Sequence, residues 1–222
     1  MRFISLFSSF VLLLLSVSVG QAASPGPGWQ AGHLTWWDGT VLAGDLAYNW
    51  QAEMVLLRET DGRIRTFSAG QVRQFGWSAS AGQKARYFIA LPGSNNQLPD
   101  RPAFFEVCAE GTMTVVRRMK QTHGLFRRPY ANPVRGFDPE TPDPHDSFFD
   151  YFAHIDGQFL PFRRFYTAIY LARMSAHRRE LQQYIQVHRL NEKSQFGQLR
   201  IIEQYNRLAE QPMASVRTPP IH

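Results

Sequence analysis

"LTWWDGTVLAGDL", Leu34 to Leu46, places an Asp-Gly pair between two apolar stretches. Leu34 and Trp36 alternate with polar neighbours before the pair, and Leu42, Leu46 and Tyr48 share one side of a period-2 pattern after it. Asp-Gly tolerates positive φ at both central positions of a type I′ turn, whose twist matches paired strands. The stretch therefore reads as a hairpin. The same pair returns at Asp61-Gly62, between Val55/Leu57 and Ile64/Thr66, and at Asp156-Gly157 in "AHIDGQFLPF". With one carboxylate per turn and no second acid at fixed spacing, the repeat is fold chemistry and not a catalytic dyad.

Working outward, further strands are expected at Val72–Trp77, Arg86–Leu91, Ala103–Ala109 and Met113–Met119, the last two joined by a looser turn at Glu110-Gly111. From Phe162 the period becomes helical. Phe162, Phe165, Tyr166 and Ile169 form one stripe; Leu181, Tyr184, Ile185 and His188 a second; Ile202, Tyr205 and Leu208 a third. On such a face His188 reads as a hydrogen-bonded core residue. The fold class is α+β: an antiparallel β-rich N-terminal body, small-barrel or sandwich-like, over 29–162, then about three C-terminal helices over 163–211 and a disordered tail at 212–222. The rhythm of the first half is that of an SH3-like or PRC-like barrel, an architecture that hosts unrelated functions.

Residues 1–22 read as a secretory signal peptide. Arg2 supplies the positive start, Phe10 to Val19 an apolar core too short to span a bilayer, and Gly20 and Ala22 a small-residue cleavage site. The chain is thus expected to be exported, periplasmic or extracellular, with no transmembrane span after cleavage. Cys108, the single cysteine, lies in the strand-like "FFEVCAEG" and reads as a packed structural residue.

Charge is uneven. From Arg163 onward ten Lys or Arg stand against four Asp or Glu, and the remainder balances 14 with 14. Arg164, Arg179, Arg200 and Arg207 project away from the apolar stripes at helical spacing, which makes them candidate binding residues for an anionic envelope component, a lipid headgroup or an acidic glycan, or for another envelope protein. Between 120 and 147 five prolines break regular structure. The first part of this loop is basic and aromatic, with Arg127, Arg128 and Tyr130 as further binding candidates; stacking and phosphate contacts by such a stretch suit nucleic acid, but export argues against it. The second part is acidic. Asp143, His145, Asp146, Asp150 and His154 are the candidate ligands of a metal-dependent hydrolase, the alternative function, since oxygen and imidazole donors suit several divalent ions. The spacing matches no EF-hand loop. No His-Glu-x-x-His helix, Gly-x-Ser-x-Gly elbow or phosphate-cradling glycine loop occurs, and no motif calls for a cofactor.

Asp38-Gly39 with Gly44 and Tyr48, "TFSAGQV" with Phe75, "FFEV" with Glu110-Gly111, and Tyr205-Asn206 with Leu208 together resemble a family of uncharacterised exported proteins of Bacteroidota-type bacteria. The resemblance implies a β-rich body followed by helices and brings no catalytic residue. The favoured function is a non-catalytic binding or assembly module of the cell envelope.

Overall fold

The computed structural model describes residues 28–78, 85–92, 101–120, 141–142 and 146–210. The stretch read as a signal peptide, most of the Pro-rich segment and residues 211–222 lie outside the described residues. Ten strands form one antiparallel sheet: β1 Gln30–Trp36, β2 Val41–Asn49, β3 Met54–Arg58, β4 Ile64–Phe67, β5 Val72–Trp77, β6 Arg86–Pro92, β7 Pro102–Ala109, β8 Thr114–Met119, β9 Phe149–Ile155 and β10 Gln158–Pro161. The spatial order is β10-β9-β8-β7-β6-β5-β1-β2-β3-β4. The sheet is open, with β4 and β10 at its ends, where the sequence pattern suggested barrel closure or a sandwich.

All three Asp-Gly pairs occupy hairpin tips, but only one has the expected turn. Asp156 and Gly157 both have positive φ, 49° and 73°, and form the two-residue loop between the paired Ile155 and Gln158. In the other two only the glycine is left-handed, at 89° for Gly39 and 83° for Gly62. Each of those glycine N–H groups closes a turn onto the carbonyl three residues back, Trp36 and Glu59. The aspartate carboxylates instead accept the backbone N–H two residues on, from Thr40 at 2.8 Å and Arg63 at 3.0 Å. These are longer loops built on a turn followed by a left-handed glycine.

Alternation along each strand sends one set of side chains to a shared core. β6 shows it plainly: Arg86, Phe88 and Ala90 are buried, while Tyr87, Ile89 and Leu91 are half-buried. Cross-strand pairing lines up a row Leu34, Phe75, Phe88, Glu106, Arg117, Tyr151 on β1, β5, β6, β7, β8 and β9. Phe75 and Phe88 stack at 4.5 Å with their planes 7° apart. The sheet coils strongly, because Tyr48 on β2 reaches Phe88 at 4.9 Å and Phe104 at 5.9 Å across intervening strands. Trp50 just beyond β2 packs edge-on against Phe149 of β9 at 5.2 Å. Each such ring contributes roughly 1.5–3 kcal/mol by leaving water. A smaller cluster of Ala103, Phe105 and Val116 covers the other face.

The chain then turns helical. A 3-10 turn at Phe162–Arg164, a π-helix at Phe165–Tyr170 and a short α1 at Leu171–Arg173 run consecutively, followed by α2 at Arg178–His188 and α3 at Gln195–Glu210. Ser194 caps α3 by accepting the Gly197 N–H on its hydroxyl at 3.0 Å. Ile169, Met174, Leu181, Leu199, Ile201 and Ile202 join the main sheet core. Two stripe residues depart from the helical expectation. Tyr166 is 54% exposed, and Tyr170 is buried in its place. The wider i→i+5 turns of the π-helix carry the apolar face past the positions that a 3.6-residue period assigns. His188 is exposed, its ring 4.3 Å from that of Tyr184, and is not a core histidine.

Candidate binding cleft

A cavity of about 1030 Å³ lies where the ends of β8, β9 and β10 meet the 3-10/π segment and the start of α3. Its walls come from chain segments spread over residues 118–198. Pro161, with φ −69°, ends β10 and sets the chain into the helical run, which places Arg163, Arg164 and Tyr166 at the mouth. The connection from α2 to α3 supplies Glu192 and Lys193.

Five basic side chains line this cleft (Arg118, Lys120, Arg163, Arg164 and Lys193) against two acidic ones, Asp150 and Glu192. Two of the five are already engaged. Arg118 pairs with Glu53 at 2.6 Å, and the Lys120 ammonium donates to the Ser147 carbonyl at 2.8 Å. Arg163, Arg164 and Lys193 are exposed, and no carboxylate among the described residues pairs with them. Aromatic rings complete the lining. Phe162 packs against Tyr151 at 5.6 Å and against Phe165 at 6.0 Å, and Tyr166 lies nearly parallel to Tyr170 at 5.9 Å.

Behind the cleft lies a buried charged network. Glu106 accepts from Arg86 Nε at 2.7 Å and from Arg117 Nε at 2.6 Å. Arg117 also donates to the Tyr151 hydroxyl at 3.0 Å, and that hydroxyl donates to Asp146 at 2.6 Å. Arg117 is fully buried, 4.1 Å from the Phe149 ring centre. Burial alone would raise the Glu106 pKa, but the Arg117 and Arg86 guanidinium groups outweigh it and hold the carboxyl down at about 2. Burial, reinforced by Asp146, pushes the Tyr151 phenol far above its ordinary value, so it stays a hydrogen-bond donor.

Of the binding residues expected from the sequence, Arg164 lines the cleft. Arg179 is exposed on α2, and Arg207 is exposed on α3 with its guanidinium 6.0 Å from the Tyr184 ring. Arg200 is corrected: it does not stand free in water but is half-buried and bound to Glu203 at 2.9 Å. The reason is that α3 is packed on most of its circumference, leaving Arg207 and Glu210 as its exposed residues. Arg127, Arg128, Tyr130, Asp143 and His145 lie outside the described residues. Of the remaining metal candidates, Asp146 is tied to Tyr151, Asp150 lines the cleft, and the His154 ring packs on Phe159 at 5.1 Å. Asp150 and His154 sit four residues apart on a strand, about 13 Å along its axis. Among the described residues no three of His, Cys, Asp and Glu gather as a metal site.

Sequence pattern alone does not mark Arg163, Lys193 or Tyr166 as cleft residues, nor the Glu106 network. Part of the network's signal was present: an acid inside "FFEV" and arginines at inward positions of two neighbouring strands. A second, smaller pocket of about 320 Å³ includes Cys108. Burial pushes that thiol well above its ordinary pKa, which favours the protonated form over the thiolate. No helix among the described residues is long and apolar enough to cross a membrane. No protein-family profile, characterised protein or solved structure matches the chain.

Proposed function

We propose that this protein is an exported, non-catalytic binding or assembly module of the cell envelope, and that it holds an anionic envelope component in the cleft beside the π-helix. The observation that carries the reading is the set Arg163, Arg164 and Lys193: three exposed cations around one recess with no carboxylate partner among the described residues. Concave, low-dielectric walls strengthen the field of one sign of charge and raise the local concentration of an oppositely charged ligand. The signal-like N-terminus, the basic excess after Arg163 and the resemblance to exported β-plus-helical proteins all support it.

Retention of the purified chain on immobilised acidic polysaccharide and on anionic vesicles, with neutral dextran as control, tests the reading. Binding to at least one anionic surface should be strong at low salt and fall steeply by physiological ionic strength, where screening acts within about 8 Å. Arg163→Glu with Arg164→Glu should abolish it while leaving the circular dichroism spectrum unchanged, since both side chains are exposed. Absence of salt-dependent retention on every anionic surface would overturn the proposal.

A further inference from the structure

We infer that the occupant of the cleft is an acidic polysaccharide chain, with a sugar ring laid against Tyr166 and its carboxylates met by Arg163, Arg164 and Lys193. This rests on the binding reading above and narrows it to one ligand class. The shape of the site is the first argument. The cations line a recess of about 1030 Å³, at the upper end of small-ligand cavities and with room for several rings. A flat bilayer surface meets cations that project from a protein, whereas a polymer strand can enter a recess.

The aromatic lining is the second argument. Tyr166 lines the cleft and is 54% exposed, so its ring is open to a ligand. The π-helix turns it outward while Tyr170, 4% exposed, backs it with planes 17° apart. A ring held in place by its neighbour loses little freedom on binding and offers the C–H face of a pyranose a ready platform. A bare phosphate group has no apolar face to match it. The third argument is the neutral polar lining. Gln195 and Gln198 border the same space, and Gln198 is itself fixed, its Nε2 donating to the Glu192 carbonyl at 2.9 Å. Amides among cations, one of them fixed, suit a ligand that carries both hydroxyls and carboxylates.

The test titrates the full chain at low ionic strength with a short oligogalacturonate, with its methyl ester (the same rings without charge), and with phosphatidylglycerol vesicles. Oligogalacturonate should bind, and the methyl ester should bind at least about tenfold more weakly. Tyr166→Ala should weaken oligogalacturonate binding by about tenfold, a factor that corresponds to ~1.4 kcal/mol, while Tyr166→Phe should stay within about twofold of wild type. Unchanged affinity in Tyr166→Ala would sink the inference. Arg163- and Arg164-dependent binding to vesicles without binding to oligogalacturonate would refute the glycan assignment and leave the envelope-binding reading standing. Failure to bind either anion would refute both.

Discussion

Glu106 stands in the run Phe104-Phe105-Glu106-Val107 on a strand whose inward positions are otherwise apolar, and it is 1% exposed. Two guanidinium groups make that position tolerable. The trio contributes less net stability than its short distances suggest, because removing each charge from water costs several kcal/mol. Deleting one member is another matter, since it strands buried charge. Glu106→Gln preserves size but removes the negative charge that both Arg86 and Arg117 meet, and should destabilise by about 3–5 kcal/mol in urea unfolding at neutral pH. The pH dependence has a definite sign. The folded-state pKa, about 2, lies below the ordinary glutamate value of 4.5, so the stabilisation is complete above 4.5 and drains away as pH falls toward 2. The stability gap between wild type and Glu106→Gln should therefore narrow across that interval. A gap that is constant from pH 7 to pH 2.5 would mean that the carboxylate is not the group the arginines hold. A charge at an inward strand position can be read from sequence; which partners face it depends on register, and register needs the sheet.

Strand existence was legible because alternation and Asp-Gly pairs are local. Val72–Trp77 occurs with the boundaries the pattern assigns, and the neighbouring strands differ by a residue at an end. Turn type was less legible: the dipeptide is the same at all three tips, and the number of loop residues decides whether the aspartate must be left-handed. The π-helix escaped entirely, since a 3.6-residue template has no place for an i→i+5 turn, and this misplaced Tyr166. At the opposite end of the helical run, Asn206 shows how a helix is seated on a sheet. Its Oδ1 accepts the Met113 N–H at 2.9 Å, and its Nδ2 donates to the carbonyls of Met113 at 2.8 Å and Glu110 at 3.1 Å. One amide thus satisfies the backbone of the β7–β8 hairpin, where Gly111, at φ 142°, has no space for a Cβ because Asn206 lies 2.6 Å from where it would be. Asn206→Ala should cost roughly 2–4 kcal/mol, because it leaves a buried N–H and a carbonyl unpaired. Asn206→Asp keeps the acceptor but turns an anion toward two carbonyls and should cost at least as much. If both variants unfold within about 0.5 kcal/mol of wild type, apolar packing alone seats the helix.

The division between a β body and a helical segment, natural in the sequence where the period changes at Phe162, does not divide the core. One cluster of buried side chains runs from Leu34 on β1 through Phe88, Phe104 and Phe149 to Ile169, Leu181 and Ile202. The open sheet leaves a face that its own strands cannot fill, and the helices complete it, as layered packing requires. That same completion brings β8–β10 against the π-helix and makes the cleft, which is why the cleft was illegible: its lining comes from segments that meet only after the sheet has coiled and the helices have returned. A shared core also has a consequence for unfolding. Helix loss, followed in the far-ultraviolet, and loss of packing around Trp50 and Trp77, followed by fluorescence, should coincide in a single denaturant transition with one midpoint. The two parts share one cluster, to which Met113, Phe149 and Ile202 each belong, so loss of either uncovers apolar surface on the other. The Asn206→Ala variant sharpens the test, for the substitution lies in α3 yet should move both probes by the same amount. A helical transition that separates from the fluorescence transition, in wild type or in the variant, would show that the segment after Phe162 folds as a unit of its own.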